Sequence, residues 1–406
     1  MRALLRRRSV LWPAFIVVQL ALAAACLAPG VTGNSFNDVT GFYRVWAENA
    51  VHAGLWPSVT MPWVYPIVAL VPMLIPLLGG AAGYGPVWLV QVVLLNAAAF
   101  GVLVARPTAP RTRAAWFWLA AMLALGPIAL GRLDVVSVAL AVLGVVALAS
   151  RPWLAGVLFA LGAWVKFWPA ALVLAVVVAA KERWRVLAAA VAATAAIVAV
   201  AFFVLGARYV FSFVGQQSGR GLQVESPFAT PLLWVAWARM PGLRVYYDTG
   251  IYTFQVAGPG ASALARAADW AMPLAVLAAI LLGLRAALRK AEPRQATALL
   301  ALALTVGFCA FDKVGSPQYH AWFAVPVMLG LMVAGRRFAL PAWLVLASTV
   351  LTQLIYPWFY DELLALKPVM LGVITARNAL ELALFAWALV ALWRLGTRGS
   401  GARRKS

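Results

Sequence analysis

The residues best equipped for chemistry sit in the polar interruptions of an otherwise apolar chain. Asp38 lies in the stretch 34–66, NSFNDVTGFYRVWAENAVHAGLWPSVTMPWVYP, the first long hydrophilic break after an apolar run. A carboxylate there can take a proton from a hydroxyl as its oxygen attacks an electrophilic carbon. Asp38 also precedes the helix-like run Phe42 to Ala53, where it would serve as an N-cap. Gly131-Arg132-Leu133-Asp134 puts a cation and an acid together at a helix junction, either as an ion pair or with Asp134 capping the next helix. Lys166, beside Trp168 and Pro169, can hold a phosphate as a point charge or snorkel to lipid headgroups.

Further along, Arg220, Gln223 and Glu225 cluster in RGLQVES, which reads equally as a loop turn. Lys313, Gln318, Tyr319 and His320 belong to KVGSPQYH, which opens a helix whose free N–H groups suit a phosphate oxyanion. His320 taken alone reads as a structural histidine. Arg377, with Asn378, stands near the outer end of the last helix as a further anchor. A base with scattered cations fits displacement of an anionic leaving group. There is no zinc-ligand spacing, P-loop or dinucleotide fingerprint, so neither a metal site nor a cytosolic nucleotide-sugar site is indicated. A donor that is itself a lipid is expected instead. Cys26 and Cys309 both lie in or beside apolar runs and suggest neither a disulfide framework nor a metal centre.

The elements that hold these residues are membrane helices. With 65% hydrophobic and 11% charged residues, the chain falls outside soluble globular composition. The net charge of +21, from 33 Lys and Arg against 12 Asp and Glu, comes mostly from short clusters between apolar runs. That distribution orients a polytopic membrane protein and offers no basic surface for nucleic acid.

Apolar runs of about 20 residues cross the hydrocarbon, and loops rich in Lys and Arg stay cytoplasmic. The basic segment MRALLRRRS leads into a first helix, Val10 to Pro29, expected to be retained and to run outward, which puts Asp38 outside. The run Val64 to Ala82 contains Pro66, Pro72 and Pro76 and ends in GGAAGYG, which predicts a re-entrant or interfacial segment. If that run spans instead, Arg106, Arg111 and Arg113 are stranded outside.

The remaining spans are expected at 86–105, 114–130, 135–149, 153–165, 170–180, 186–205, 269–285, 296–311, 321–334, 340–355 and 369–393. Segments 153–165 and 170–180 are short, and the alternative is one long helix with Lys166 buried midway, at high cost. The expected architecture is therefore an all-α, multi-pass bundle of about twelve transmembrane helices, with interfacial helices in the first outer loop. It forms one domain over 1–406: a seven-helix part to 205, a large outer loop 206–267, a five-helix part 268–393 and a basic tail 394–406. Both termini are expected in the cytoplasm and the chemically mixed loops outside the plasma membrane. The absence of a transporter-type repeat and the scarcity of charges midway along spans weigh against a transporter or flippase.

Several stretches, in order along nearly the whole chain, resemble glycosyltransferase family 87 of the GT-C superfamily, the polyprenyl-phosphate-mannose-dependent mannosyltransferases. They are FNDVTGFYRVW, the pair Tyr65-Pro66, GRLD followed by LAGVLFALGAWVKFWP, RGLQVES, KVGSPQYHAWFAVP, LTQLIYPWFY and ARNAL. The resemblance implies a GT-C bundle with an extracytoplasmic cavity, Asp38 as first-loop base, and Asp134 as the acid between the third and fourth helices. It implies contacts from Arg220, Lys313 and His320 to the donor phosphate or sugar. His320 departs from the pattern, since an aliphatic residue commonly follows SPQY. The implied partners are a polyprenyl-phosphate-mannose donor and a glycolipid or glycan acceptor among membrane lipids. No cofactor is required, although Asp38 and Asp134 could offer oxygen ligands to a divalent ion. Mannose rests on the resemblance, with arabinose or another lipid-linked sugar as the alternative, and a non-catalytic envelope scaffold as a further one.

Overall fold

The computed structural model describes residues 8–28, 35–216 and 220–398. The chain forms two compact units, Met1–Val177 with Glu182–Ser218, and Val178–Lys181 with Gly219–Ser406.

The first unit opens with α1 (Arg8–Leu27). A wide π-type turn, Asp38–Tyr43, feeds α2 (Arg44–Ala53), which stops at Gly54 in the left-handed region. The proline-rich run forms only short pieces, with α3 (Leu70–Leu74) between tighter turns at Ile67–Ala69 and Ile75–Gly79. At Gly80 the backbone takes φ 63° and ψ −173°, a conformation open to glycine, and the chain reverses into α4 (Gly80–Val104). Gln91 donates to the Pro72 carbonyl at 3.1 Å and Tyr84 to the Met73 carbonyl at 2.7 Å, so residues 67–79 lie back along α4. The expected break is present, and α4 starts six residues before Pro86.

Helix α5 (Ala109–Leu125) ends at Gly126, again with positive φ, and a short turn through Ala129 carries the chain into α6 (Asp134–Ala147). There follow α7 (Pro152–Val165), α8 (Ala170–Ala179), α9 (Arg183–Ala199) and the short α10 (Ser212–Gly215). Small residues let these helices approach: Gly144 faces the Phe159 ring and Gly156 faces the Val186 carbonyl, with no room for a Cβ at either.

The second unit begins with β1 (Leu222–Gln223), α11 (Thr230–Trp237), β2 (Arg244–Asp248) and β3 (Thr253–Ala257). The strands pair antiparallel in the order β1-β3-β2, with Gln255 opposite both Gln223 and Tyr246. This sheet is absent from the sequence expectation of an all-α chain. Its signals are the β-branched and aromatic residues Val245, Tyr246, Tyr247, Phe254 and Val256 around a turn in which Asp248 accepts the Gly250 N–H.

Helices α12 (Ala261–Leu288), α13 (Pro293–Ala310), α14 (Tyr319–Val333), α15 (Ala339–Gln353), α16 (Tyr360–Leu364) and α17 (Pro368–Arg398) complete the unit. Glu292 caps α13 by accepting the N–H groups of Arg294 and Gln295, and Pro293 occupies the first turn, where its missing N–H costs nothing. Leu222, Val224, Val256, Leu363 and Ile374 share one buried core beneath the sheet.

Among the described residues eight helical stretches are long and apolar enough to cross a membrane: Arg8–Leu27, Ile67–Val104, Ala109–Ala129, Arg183–Val204, Ala261–Leu288, Pro293–Ala310, Gly335–Trp358 and Pro368–Thr397. Four shorter apolar helices, Asp134–Ala147, Pro152–Val165, Ala170–Ala179 and Tyr319–Val333, occupy the places of the other expected spans. The chain is a helical membrane protein whose described residues give eight candidate crossings by length; the expected count of about twelve rests on the four shorter helices as well.

Candidate active site

In the first unit four charged side chains meet as two ion pairs. Arg132 Nη1 lies 3.3 Å from Asp38 Oδ1, and Lys166 Nζ lies 3.8 Å from Asp134 Oδ2. The pairing therefore differs from both local readings. Arg132 and Asp134, two residues apart at a helix start, reach to different partners, and neither acid is an N-cap. Asn37 holds the position before the Asp38 turn and Leu133 the position before α6, and neither side chain makes a capping bond. Lys166 sits in an extended break between α7 and α8, so the two are not one long helix.

Local structure fixes these groups. Arg132 Nη1 also donates to the Ser35 carbonyl at 2.7 Å, which ties GRLD to the first loop. Gly131 permits that approach, because a Cβ there would lie 3.0 Å from the same carbonyl oxygen. Tyr43 accepts the Leu133 N–H at 3.1 Å, a second link between the same elements. Burial, reinforced by the charges of Asp38 and Asp134, pushes the Tyr43 phenol well above its ordinary range and keeps it protonated. Ser137 accepts from the Trp168 indole and donates to the Asp134 carbonyl, joining the start of α6 to the turn after Lys166.

Access separates the four. The side chain of Asp38 is 29% exposed, against 6% for Arg132, 3% for Asp134 and 15% for Lys166. Asp38 is thus the carboxylate a substrate can reach, and Asp134 is a buried counter-charge. Lys166 Nζ lies 4.6 Å from the centre of the Tyr65 ring. Tyr65 in turn packs on Trp63 and Trp46, with ring centres 5.3 and 5.9 Å away. Aromatic faces beside a carboxylate and an ammonium suit a ligand with apolar ring faces and a phosphate. The sequence reading named Tyr43, Trp46 and Tyr65 only within motifs or a helix face and missed Trp63. Its signal was the aromatic density of the first loop. The two carboxylates named as possible ligands of a divalent ion, Asp38 and Asp134, each lie beside a protein cation.

The other expected residues belong to the second unit, where most of them make buried contacts of their own. Tyr360 donates to Glu225 Oε1 at 2.7 Å. Burial raises the Glu225 carboxyl and the Tyr360 phenol above their usual ranges. The Gln223 N–H donates to the Lys313 carbonyl at 3.0 Å, and Lys313 Nζ pairs with Asp269 Oδ1 at 2.8 Å. Arg377 bonds to Glu381 at 3.0 Å, to Asn378 at 2.7 Å and to the Gly315 carbonyl at 3.0 Å. His320 Nε2 stands 3.2 Å from Glu381 Oε1 and within reach of Thr352. His320 is therefore built into the core. Gln318 and Tyr319 open α14, with the Tyr319 ring 4.2 Å from that of Trp322. Glu381, which anchors this network, was missed by the sequence reading although it follows Arg377 by one helical turn.

Asp312, beside Lys313, gives a pH signature. Burial pushes its carboxyl up to about 6, against the pull of the Lys313 and Val314 N–H groups and the Lys313 and Arg220 charges. Between the unfolded value near 4 and the folded value the native chain holds a proton that the unfolded chain has lost, so stability falls as pH rises through that window. Asp312→Asn is expected to flatten this slope between about pH 4 and 6. Thermal unfolding of the purified chain across that range tests it, and an unchanged slope removes Asp312 as its source.

The model of glycosyltransferase family 87 matches residues 63–317. No curated protein and no solved structure matches the chain. The matched segment contains Arg132, Asp134, Lys166 and Lys313, whereas Asp38 precedes it and Arg377 follows it. Because the match extends over more than half of the residues, the chain belongs to glycosyltransferase family 87.

Proposed function

We propose that this membrane glycosyltransferase moves a mannosyl residue from a polyprenyl-phosphate sugar to a hydroxyl of a glycolipid or glycan, with inversion and without a metal, at the extracytoplasmic face of the plasma membrane. The observation that carries this reading is the Asp38–Arg132 pair beside the Asp134–Lys166 pair, with Asp38 the accessible acid.

In this mechanism the acceptor oxygen forms the new bond to the anomeric carbon as the bond to the phosphate oxygen breaks. The electron pair leaves with the phosphate, and the hydroxyl proton passes to Asp38. A phosphate is already a good leaving group and gains more from a nearby cation than from an acid. Lys166 is placed to supply that charge, while Arg132 orients the base. Asp134 holds Lys166 in position, and the Tyr65 ring beneath the ammonium limits where the phosphate and sugar can lie. Arg220 and Lys313, the further phosphate partners in this reading, lie in the second unit beside Asp312 and Asp269.

Membranes containing the protein, given radiolabelled polyprenyl-phosphate-mannose with and without EDTA, test the proposal. Label is expected in a new glycosidic product, undiminished by the chelator. Label from the arabinose analogue alone would replace the sugar assignment, and movement of intact donor without a new bond would identify a flippase. Loss of product with EDTA would restore the metal as a participant.

A further inference from the structure

Apart from the Arg377–Glu381 contacts, the second unit carries a cleft of about 330 Å³ between the first turns of α13, the turn Gly335–Phe338 and the last turns of α17. Its wall is apolar, formed chiefly by Leu299, Phe338 and Trp387, and its rim carries Gln295, Arg337 and Arg394. The Phe338 and Trp387 rings meet edge to face at 5.6 Å, which gives the wall a fixed shape. Arg337 Nη1 donates to Gln295 Oε1 at 3.1 Å, so the guanidinium is anchored at one corner while the residue stays exposed. Arg394 is exposed as well. Among the described residues no carboxylate pairs with either arginine. Glu292, the acid nearest in sequence, accepts the Arg294 and Gln295 N–H groups through its two oxygens.

The place of the cleft identifies its occupant. α13, the 335–358 stretch and α17 are all candidate spans, and the rim lies at their ends, the level at which a spanning helix passes from hydrocarbon to headgroups. The neighbouring end of α12 adds positive charge. Arg285 there donates to the Trp393 carbonyl at 2.9 Å and stacks on its ring at 3.7 Å. A free phosphate would satisfy the arginines and leave the apolar wall uncovered. A zwitterionic lipid would bring a cation of its own against them. We infer that the cleft binds an anionic phospholipid, with the headgroup phosphate between Arg337 and Arg394 and an acyl chain against Leu299, Phe338 and Trp387. This site is independent of the donor and acceptor assigned above.

Native mass spectrometry of the full chain in detergent tests the inference, with phosphatidylglycerol, phosphatidylcholine of the same acyl chains and inorganic phosphate as probes. Phosphatidylglycerol is expected to bind roughly ten- to thirtyfold more tightly than phosphatidylcholine, as two interfacial arginines imply. The double variant Arg337→Gln, Arg394→Gln should bring the two lipids to parity. Ala391→Trp, which fills the cleft and leaves both arginines, should weaken phosphatidylglycerol to the same extent, and it decides the matter if the double variant fails to purify as a single species. Equal binding of the two lipids by the wild-type chain overturns the proposal, as does a preference that survives either change. Displacement of phosphatidylglycerol by millimolar inorganic phosphate would reduce the cleft to a simple anion site and overturn the lipid assignment.

Discussion

Asp38→Asn is expected to lower the rate of sugar transfer by about a hundredfold to ten-thousandfold, the usual contribution of a positioned general base. The amide keeps the size of the carboxylate and can still accept from Arg132, so the turn Asp38–Tyr43 and the link to GRLD stay in place. What disappears is the group that takes the acceptor proton. Donor affinity should change little, because Lys166 and its Asp134 partner are untouched. The two readouts are the initial transfer rate and equilibrium binding of the lipid-linked sugar. A rate near wild type would leave Asp38 as a structural partner of Arg132 and end its assignment as the base.

Arg377→Leu is expected to destabilise the second unit by about 3–5 kcal/mol, the cost of removing one partner of a buried ion pair. Glu381 would be left without its guanidinium, and the Gly315 carbonyl and Asn378 would lose a donor. Gly315 packs directly on the Glu225 backbone, where a Cβ has no room, so slack at this carbonyl is passed to the RGLQVES segment. The double variant Arg377→Leu, Glu381→Leu should recover a large part of the loss, since replacing both charges by apolar groups removes the uncompensated carboxylate. Thermal unfolding of the two purified variants separates these outcomes. Equal destabilisation of single and double variants would show that the packing of the long side chain, rather than its charge, holds the network.

Helix ends were legible wherever prolines, glycines and basic clusters punctuate the chain. α7 starts at Pro152 where 153 was expected, and α15 starts at Ala339 where 340 was expected. The break that frees Lys166 could be read from Pro169 in the same way. Side-chain partnership was not legible, because it depends on elements far apart in sequence. GRLD reads as a local cation and acid, yet Arg132 finds Asp38 and Asp134 finds Lys166, since successive positions at a helix start point in different directions. The loop sheet was hidden for a related reason: β1 has only two residues, too few to show a period, and its pairing with β3 spans the whole of α11 and β2. Glu381 was overlooked because α17 was treated as an apolar crossing, although an acid four residues after Arg377 is the spacing of an intrahelical pair.

The shortness of three helices in the first unit bears on the lipid around them. α6 and α7 have 14 residues each and α8 has 10, so none is longer than about 21 Å, against a hydrocarbon thickness of about 30 Å. Asp134 and Lys166 terminate such stubs. Where such stubs cross a bilayer, the hydrocarbon beside them is expected to thin toward the length they offer. Acyl-chain length in the host membrane is then expected to act on the enzyme, with thin bilayers relieving the mismatch and thick, ordered ones working against it.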